Sequence, residues 1–205
     1  SITIIAIDGI DCAGKSTLAE ELRIALNALG KSAKLISIDG FHNAKRERLA
    51  KGSFSPEGYY NDSFNYPYVV NNVLNPLKSS TLPRRVPLAS YDYKTDQEVK
   101  DQHIAIEQGD MIIFEGVFLF RKELVDFWDF RIFVDVDFST ALNRALERDE
   151  KNFGTPSKTK ERYVKRYHPG QKLYFTQSNP RNKAHIVIDN NIWDEPILID
   201  KRQQQ

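Results

Sequence analysis

Gly9, Ile10, Asp11, Cys12, Ala13, Gly14, Lys15 and Ser16 stand in the spacing G-x-x-x-x-G-K-[ST], the pattern of a loop that cradles phosphate. Each residue type has a physical task there. The glycines let the backbone turn tightly, so that successive N–H groups converge on phosphate oxygens, aided by the positive end of a following helix. Lys15 is placed to reach the β and γ phosphates of a nucleoside triphosphate, and the Ser16 hydroxyl to ligand Mg²⁺. The flanks agree: residues 2–7 form a β-branched apolar run leading in, and Leu18, Leu22, Leu26 and Leu29 recur at helical spacing leading out, with Gly30 where a capping glycine belongs. Cys12 reads as a small residue at an unconstrained position of the loop.

Phosphoryl transfer needs more than the cradle: a group for the acceptor's proton, a metal, and positive charge for the transferring group. Asp39, closing the apolar run 33–38, is the candidate base, and Glu115, closing the run 111–114, is the candidate to hold Mg²⁺ with Ser16. Arg144 and Arg148 share one face of a helix beginning near Ser139. Arg162 and Arg166 share a face of a second basic helix over 158–167, which His168, Pro169 and Gly170 are expected to interrupt. Two basic helices around the Gly154–Pro156 break predict a lid that brings a guanidinium to the phosphoryl group and excludes water. The plain alternative is a solvated face or ion pairs with Glu147 or Glu161. The four histidines show no metal-ligand spacing.

These groups need a frame, and the chain supplies one. Apolar runs at 2–7, 33–38, 111–114, 130–134 and 185–189 read as strands and alternate with helical patterns, which predicts a parallel α/β sheet with ligands beyond the carboxyl ends of its strands. Between Phe41 and Asn65 the periodicity fades into basic, then aromatic and turn-forming residues, the composition of a functional loop or cap. A short helix is expected over 66–77, and a hairpin from strands 85–93 and 98–106. The 205 residues fit a single domain, 1–205, and the formal net charge of +1, from 29 basic and 28 acidic residues, argues against a nucleic-acid or membrane partner. One cysteine excludes an intrachain disulfide, no apolar stretch is long enough for a membrane span, and without a signal-like start the expected location is cytoplasmic.

The residues at 9–17, 36–42, 91–93 and 114–117, and the Arg148–Asp149 dipeptide, follow one another as in the uridine kinase and phosphoribulokinase branch of P-loop kinases, which the chain resembles over nearly its whole length. The resemblance implies an α/β P-loop NTPase three-layer sandwich whose five parallel strands run second, third, first, fourth, fifth. It also implies an acceptor-binding insertion at 41–106 and a helical lid at about 149–170. ATP and Mg²⁺ are the implied cofactors, and the implied partner is a small-molecule acceptor, first the 5′-hydroxyl of uridine or cytidine, with homo-oligomer assembly left open. Asp39 becomes the catalytic base beside Lys15 and Arg148. The loop from Gly9 to Thr17, with Arg144, becomes the nucleotide site, and Phe41, His42, Phe64, Asn65, Tyr91, Asp92 and Asp96 become the acceptor site.

Three departures from that pattern matter. Asn65 stands where the family usually has an aspartate, and Asp96 where it has a base-reading histidine. An ionised aspartate donates no hydrogen bond, and a buried polar mismatch discriminates strongly between substrates. The lid has Phe153–Gly154 in place of an Arg-Gly pair. The resemblance therefore speaks to the reaction more than to the substrate, and pantothenate, sugar-phosphate or nucleotide kinases are the alternatives. A nucleotide-switched regulator is the alternative of another class, although Asn182–Lys183 is followed by Ala184 and His185 and not by the x-Asp that reads guanine.

Overall fold

In the computed structural model, which describes residues 1–79, 81, 84–148 and 154–204, the five apolar runs become parallel strands. They are β1 (Thr3–Gly9), β2 (Ala33–Ser37), β3 (Met111–Gly116), β4 (Phe130–Asp135) and β5 (Ile186–Asp189). The order is β2-β3-β1-β4-β5, as expected, and a sixth strand, β6 (Ile197–Asp200), continues the sheet antiparallel to β5. The expectation of five strands is corrected to six. Ile197 and Leu198 are both exposed, so the segment lacks the in-out alternation by which a half-buried strand is read. The central strand is buried on both faces: Ile4 and Ala6 enter one apolar cluster and Ile5 and Ile7 the other, which is why its sequence is apolar without alternation.

Helix α1 (Lys15–Ala28) follows the loop. Leu18, Leu22 and Leu26 pack on the core, but Leu29 lies outside the packed stripe and is 75% exposed. Gly30, at φ +76°, ends the helix, with Lys31 N–H donating to the Leu26 carbonyl at 3.0 Å. In the insertion, Lys45–Arg48 makes a single turn, and α2 (Pro56–Asp62) is capped by Ser55, whose Oγ accepts from Gly58 N–H at 3.0 Å. Residues 66–78 are helical throughout. The hairpin forms as two short ladders, Arg84–Pro87 with His103–Ile106 and Tyr91–Asp92 with Gln97–Glu98.

After α3 (Phe138–Arg148), residues 149–153 of the expected lid, including Asp149 and Phe153, lie outside the described residues. Helix α4 (Pro156–Arg162) runs through a π turn, Tyr163–Tyr167, straight into α5 (His168–Ser178). The expected interruption at 168–170 is absent. Proline lacks an N–H and its ring crowds the carbonyl one turn back, and here the wider turn, Tyr163–Tyr167, contains Lys165, whose carbonyl the Pro169 ring would crowd. Gly170 is a contact residue and not a breaker, since a Cβ there would sit 2.6 Å from Tyr59 Cδ1. Among the described residues no helix is long and apolar enough to cross a membrane.

Candidate functional site

The carboxyl ends of β1, β2 and β3 meet at a cleft of about 560 Å³ walled by Asp11, Lys15, Ser16, Asp39, Glu115 and Arg148, with Arg144, Glu147 and Trp193 at its outer side. The loop after β1 needs its glycines for space. A Cβ on Gly9 would lie 2.5 Å from the Val134 carbonyl oxygen, and one on Gly14, at φ +99°, would lie 2.7 Å from Asn190 Nδ2 and 3.0 Å from the Trp193 ring. Cys12 is not at an unconstrained position: its φ of +59° is left-handed, and its Sγ lies 3.5 Å from Tyr163 Oη.

Lys15 is buried and donates from Nζ to the Ile10 carbonyl at 2.6 Å, and Ser16 Oγ donates to Glu115 Oε2 at 3.1 Å. Asp39 sits in a 3₁₀ turn, Ile38–Gly40, capped by Ser37, whose Oγ accepts from Asp39 N–H at 3.3 Å. The crowding of protein around the cleft, then the Glu115 and Asp11 carboxylates, push Asp39 up to about 6, opposed by Lys15 and Arg148; solvent still reaches its side chain through the open mouth. Asp39 thus stays ionised at neutral pH while being a stronger base than an ordinary carboxylate.

Two carboxylates brace the loop. Asp8 is wholly buried, accepts from Gly9 N–H at 2.8 Å and from Tyr174 Oη, and is raised to about 6 by burial. Tyr174 Oη in turn accepts from Phe120 N–H at 2.8 Å. Asp11 Oδ2 accepts from Tyr59 Oη at 2.5 Å and Gln171 Nε2 at 2.8 Å, so α2 and α5 both hold the loop. Sequence reasoning missed Asp8, Tyr59, Gln171, Tyr174, Glu147 and Trp193. Only Asp8 left a signal, a carboxylate at the end of an apolar strand.

The four arginines expected in a lid separate. Arg148 lines the cleft and donates to Tyr163 Oη at 3.2 Å. Arg144 donates to the carbonyls of Asn190 at 2.6 Å and Asn191 at 3.2 Å, with its guanidinium 5.2 Å from the Trp193 ring centroid. Arg166 is buried away from the cleft and donates to the carbonyls of Ser55 at 3.0 Å, Arg48 at 3.1 Å and Gly52 at 3.3 Å. It is a strut between the π turn and the insertion, and Arg162 does not wall the cleft either.

A further cavity of about 500 Å³ lies in the insertion, walled by His42, Asn65, Tyr68, Tyr91, Glu98 and Lys100 among others. Of the residues expected to bind the acceptor, His42, Asn65 and Tyr91 reach it, and Phe41, Phe64, Asp92 and Asp96 are not among its walls. Phe41 and Phe64 are buried in the core. Asn65 Oδ1 caps the helical stretch behind it, accepting from Tyr68 N–H at 3.0 Å; Asp92 Oδ1 accepts from Lys94 N–H at 2.9 Å. Asp96 Oδ1 accepts from Lys45 N–H and Tyr91 Oη, each at 2.8 Å. His42 Nδ1 lies 2.9 Å from the Asp39 carbonyl oxygen. Its ring packs between Phe64 and Tyr93, and burial lowers it to about 4.

The model of the phosphoribulokinase/uridine kinase family matches residues 4–190. A pantothenate kinase of Ligilactobacillus salivarius is 31% identical over 202 residues, 93% of this chain and 60% of its own length. A uridine kinase of Staphylococcus haemolyticus is 34% identical over 158 residues, 74% of this chain and 70% of its own. The present chain therefore spans about three fifths of the pantothenate kinase it matches. Among solved structures, a possible uridine kinase from Bacillus stearothermophilus superposes with a TM-score of 0.73 at 25% identity, over 91% of this chain and 88% of that one. The phosphoribulokinase from Rhodobacter spheroides, at 15% identity, shares the fold with a TM-score of 0.60, over 91% of this chain and 69% of that one.

Proposed function

Because this chain belongs to the phosphoribulokinase/uridine kinase family and has its α/β P-loop NTPase fold, we propose that it is an ATP-dependent kinase that phosphorylates the hydroxyl of a small molecule. The observation that carries the reading is the convergence of Lys15, Ser16, Asp39, Glu115 and Arg148 on one cleft. In this reading 41–106 is the acceptor-binding insertion and residues 154–170 belong to the lid.

The residues fit the groups the reading requires. Lys15 is a buried ammonium with a neutral carbonyl for partner, an arrangement that an anion beside it would complete. Ser16 and Glu115 present paired hard oxygens, the donor type Mg²⁺ takes, and a bound Mg²⁺ would neutralise charge on the phosphates. The chain's own residues do the rest. The loop amides and Lys15 hold the β and γ phosphates, and Arg148 faces the transferring group. Asp39 accepts the acceptor's proton as its oxygen attacks phosphorus and the bond to the bridging β–γ oxygen breaks, leaving ADP and a phosphomonoester.

For the acceptor we read the 5′-hydroxyl of uridine or cytidine, supported by the likeness to uridine kinases and by an insertion cavity bearing His42 and Tyr91. A second acceptor, pantothenate, is favoured by the Ligilactobacillus salivarius enzyme, whose match covers 93% of this chain. A coupled ADP-release screen over nucleosides, nucleotides, pantothenate and sugar phosphates decides. A sharp response to uridine or cytidine supports the first acceptor, and a response to pantothenate replaces it with the second. ATP hydrolysis indifferent to every acceptor overturns the kinase reading in favour of a nucleotide switch.

A further inference from the structure

Arg131 is the second residue of β4, and His185 immediately precedes β5, so both lie at the amino ends of parallel strands, on the rim opposite the phosphate loop. There a cavity of about 470 Å³ is walled by Arg131, Lys183, His185, Lys201 and Arg202 together with Asn182 and Ala184. Four of these side chains are cations. Among the described residues, only Arg202 of the four has an ion-pair partner, Asp200 at 2.7 Å. Lys183 donates to the Phe120 carbonyl at 3.0 Å, and Lys201 to the Arg181 carbonyl at 3.2 Å and Asn182 Oδ1 at 3.1 Å, all neutral acceptors.

Among the described residues, the hydrogen bonding around His185 leaves two donors without an acceptor. The Arg131 backbone N–H donates to His185 Nδ1 at 3.1 Å. An amide nitrogen only donates, so the proton of the neutral ring must sit on Nε2. Yet Nε2 lies 3.1 Å from Arg131 Nη2, which also only donates. A half-turn of the ring would only trade this opposition for another, by setting Cδ2–H against the Arg131 N–H that Nδ1 now accepts from. The backbones are locked by His185 N–H to the Arg131 carbonyl at 2.9 Å, the Arg131 Nε–H is fixed on the Lys183 carbonyl at 2.6 Å, and the ring packs on Phe130. Burial, then Arg131 and Arg202, hold the imidazole below its usual range against the pull of Asp200, which keeps it in the neutral form this geometry requires.

We propose that this cavity is a second anion site, taking a phosphoryl-bearing small molecule. One oxygen would accept from both His185 Nε2–H and Arg131 Nη2–H, and Lys183, Lys201 and Arg202 would offset the remaining charge. A phosphoryl group suits the cluster better than a single carboxylate, because it carries more charge and offers further oxygens to the lysines.

The test follows the His185 imidazole signals by NMR in the wild-type chain, assigned by their loss in His185→Gln, while inorganic phosphate, AMP and citrate are titrated against chloride at matched ionic strength. The expected result is saturable movement with phosphate and AMP, and about tenfold weaker binding in the Lys201→Gln/Arg202→Gln variant with its other histidine signals unmoved. Equal movement with phosphate and chloride overturns the proposal, and so does saturation by citrate alone. Because His185 reports only its own surroundings, phosphate bound at the loop after β1 does not imitate the result.

Discussion

Lys15, Asp39 and Glu115 are delivered by the ends of three adjacent parallel strands, whereas the residues proposed for the acceptor side lie in an insertion that has to build its own structure. On the strand ends, the sheet supplies the framework and the side chains are left facing the cleft: Ser16 meets Glu115, and Asp39 stays open to solvent. In the insertion the same kinds of residue are used to hold the chain together. Phe41 and Phe64 are core, Asn65 is a helix cap, and Asp96 ties the hairpin to the turn at 45. A residue at a motif position on a strand end is therefore more readily read as chemistry than one in a segment with few other ways to satisfy its backbone.

The sharpest way to break this contrast is Lys15→Ala. It should cut kcat by at least about 10²–10³-fold in the ADP-release assay with an unchanged circular dichroism melt, and normal turnover would remove the loop from the account. The arginines come next, because the two kinds of region predict opposite phenotypes. Arg148→Ala should lower kcat/KM by about 10²-fold with stability kept. Arg166→Ala should leave kcat alone but cost about 2–3 kcal/mol in urea unfolding, since three carbonyls lose a charged donor. A reversed pattern would show the lid to be built around the other helix. The smallest effect belongs to the insertion: Asn65→Ala should cost about 1 kcal/mol as a lost cap, and a large rise in acceptor KM at unchanged stability would make Asn65 a binding residue first.

Much of this contrast was legible in the residues themselves. The five parallel strands and the loop follow from uninterrupted apolar runs and from a motif whose spacing has a direct mechanical meaning, whereas the order of the strands came from the resemblance to the kinase family. β6 was hidden because both faces of Ile197–Leu198 meet solvent, and the continuous 156–178 helix because a π turn absorbs the proline that should have ended it. The brace of Tyr59, Gln171 and Tyr174 on Asp11 and Asp8 joins residues 48 to 166 positions apart, and no local periodicity records such a pairing. Arg166 looked like Arg148 in sequence, since a helical arginine reads as basic whether its guanidinium faces a cleft or three backbone carbonyls.

The central claim is that Asp39 takes the proton of the acceptor hydroxyl, and the most direct test is the pH dependence of kcat/KM for the wild type and Asp39→Asn on the acceptor the screen identifies. A base works deprotonated, so the wild-type rate should fall as pH drops through about 6, where Asp39 sits. Asp8 is raised to the same range and is present in both proteins, so the quantity to read is the ratio of wild-type to variant rate. The account predicts a ratio that climbs through about pH 6 to a plateau of about 10² or more, and a ratio near one at every pH would contradict it.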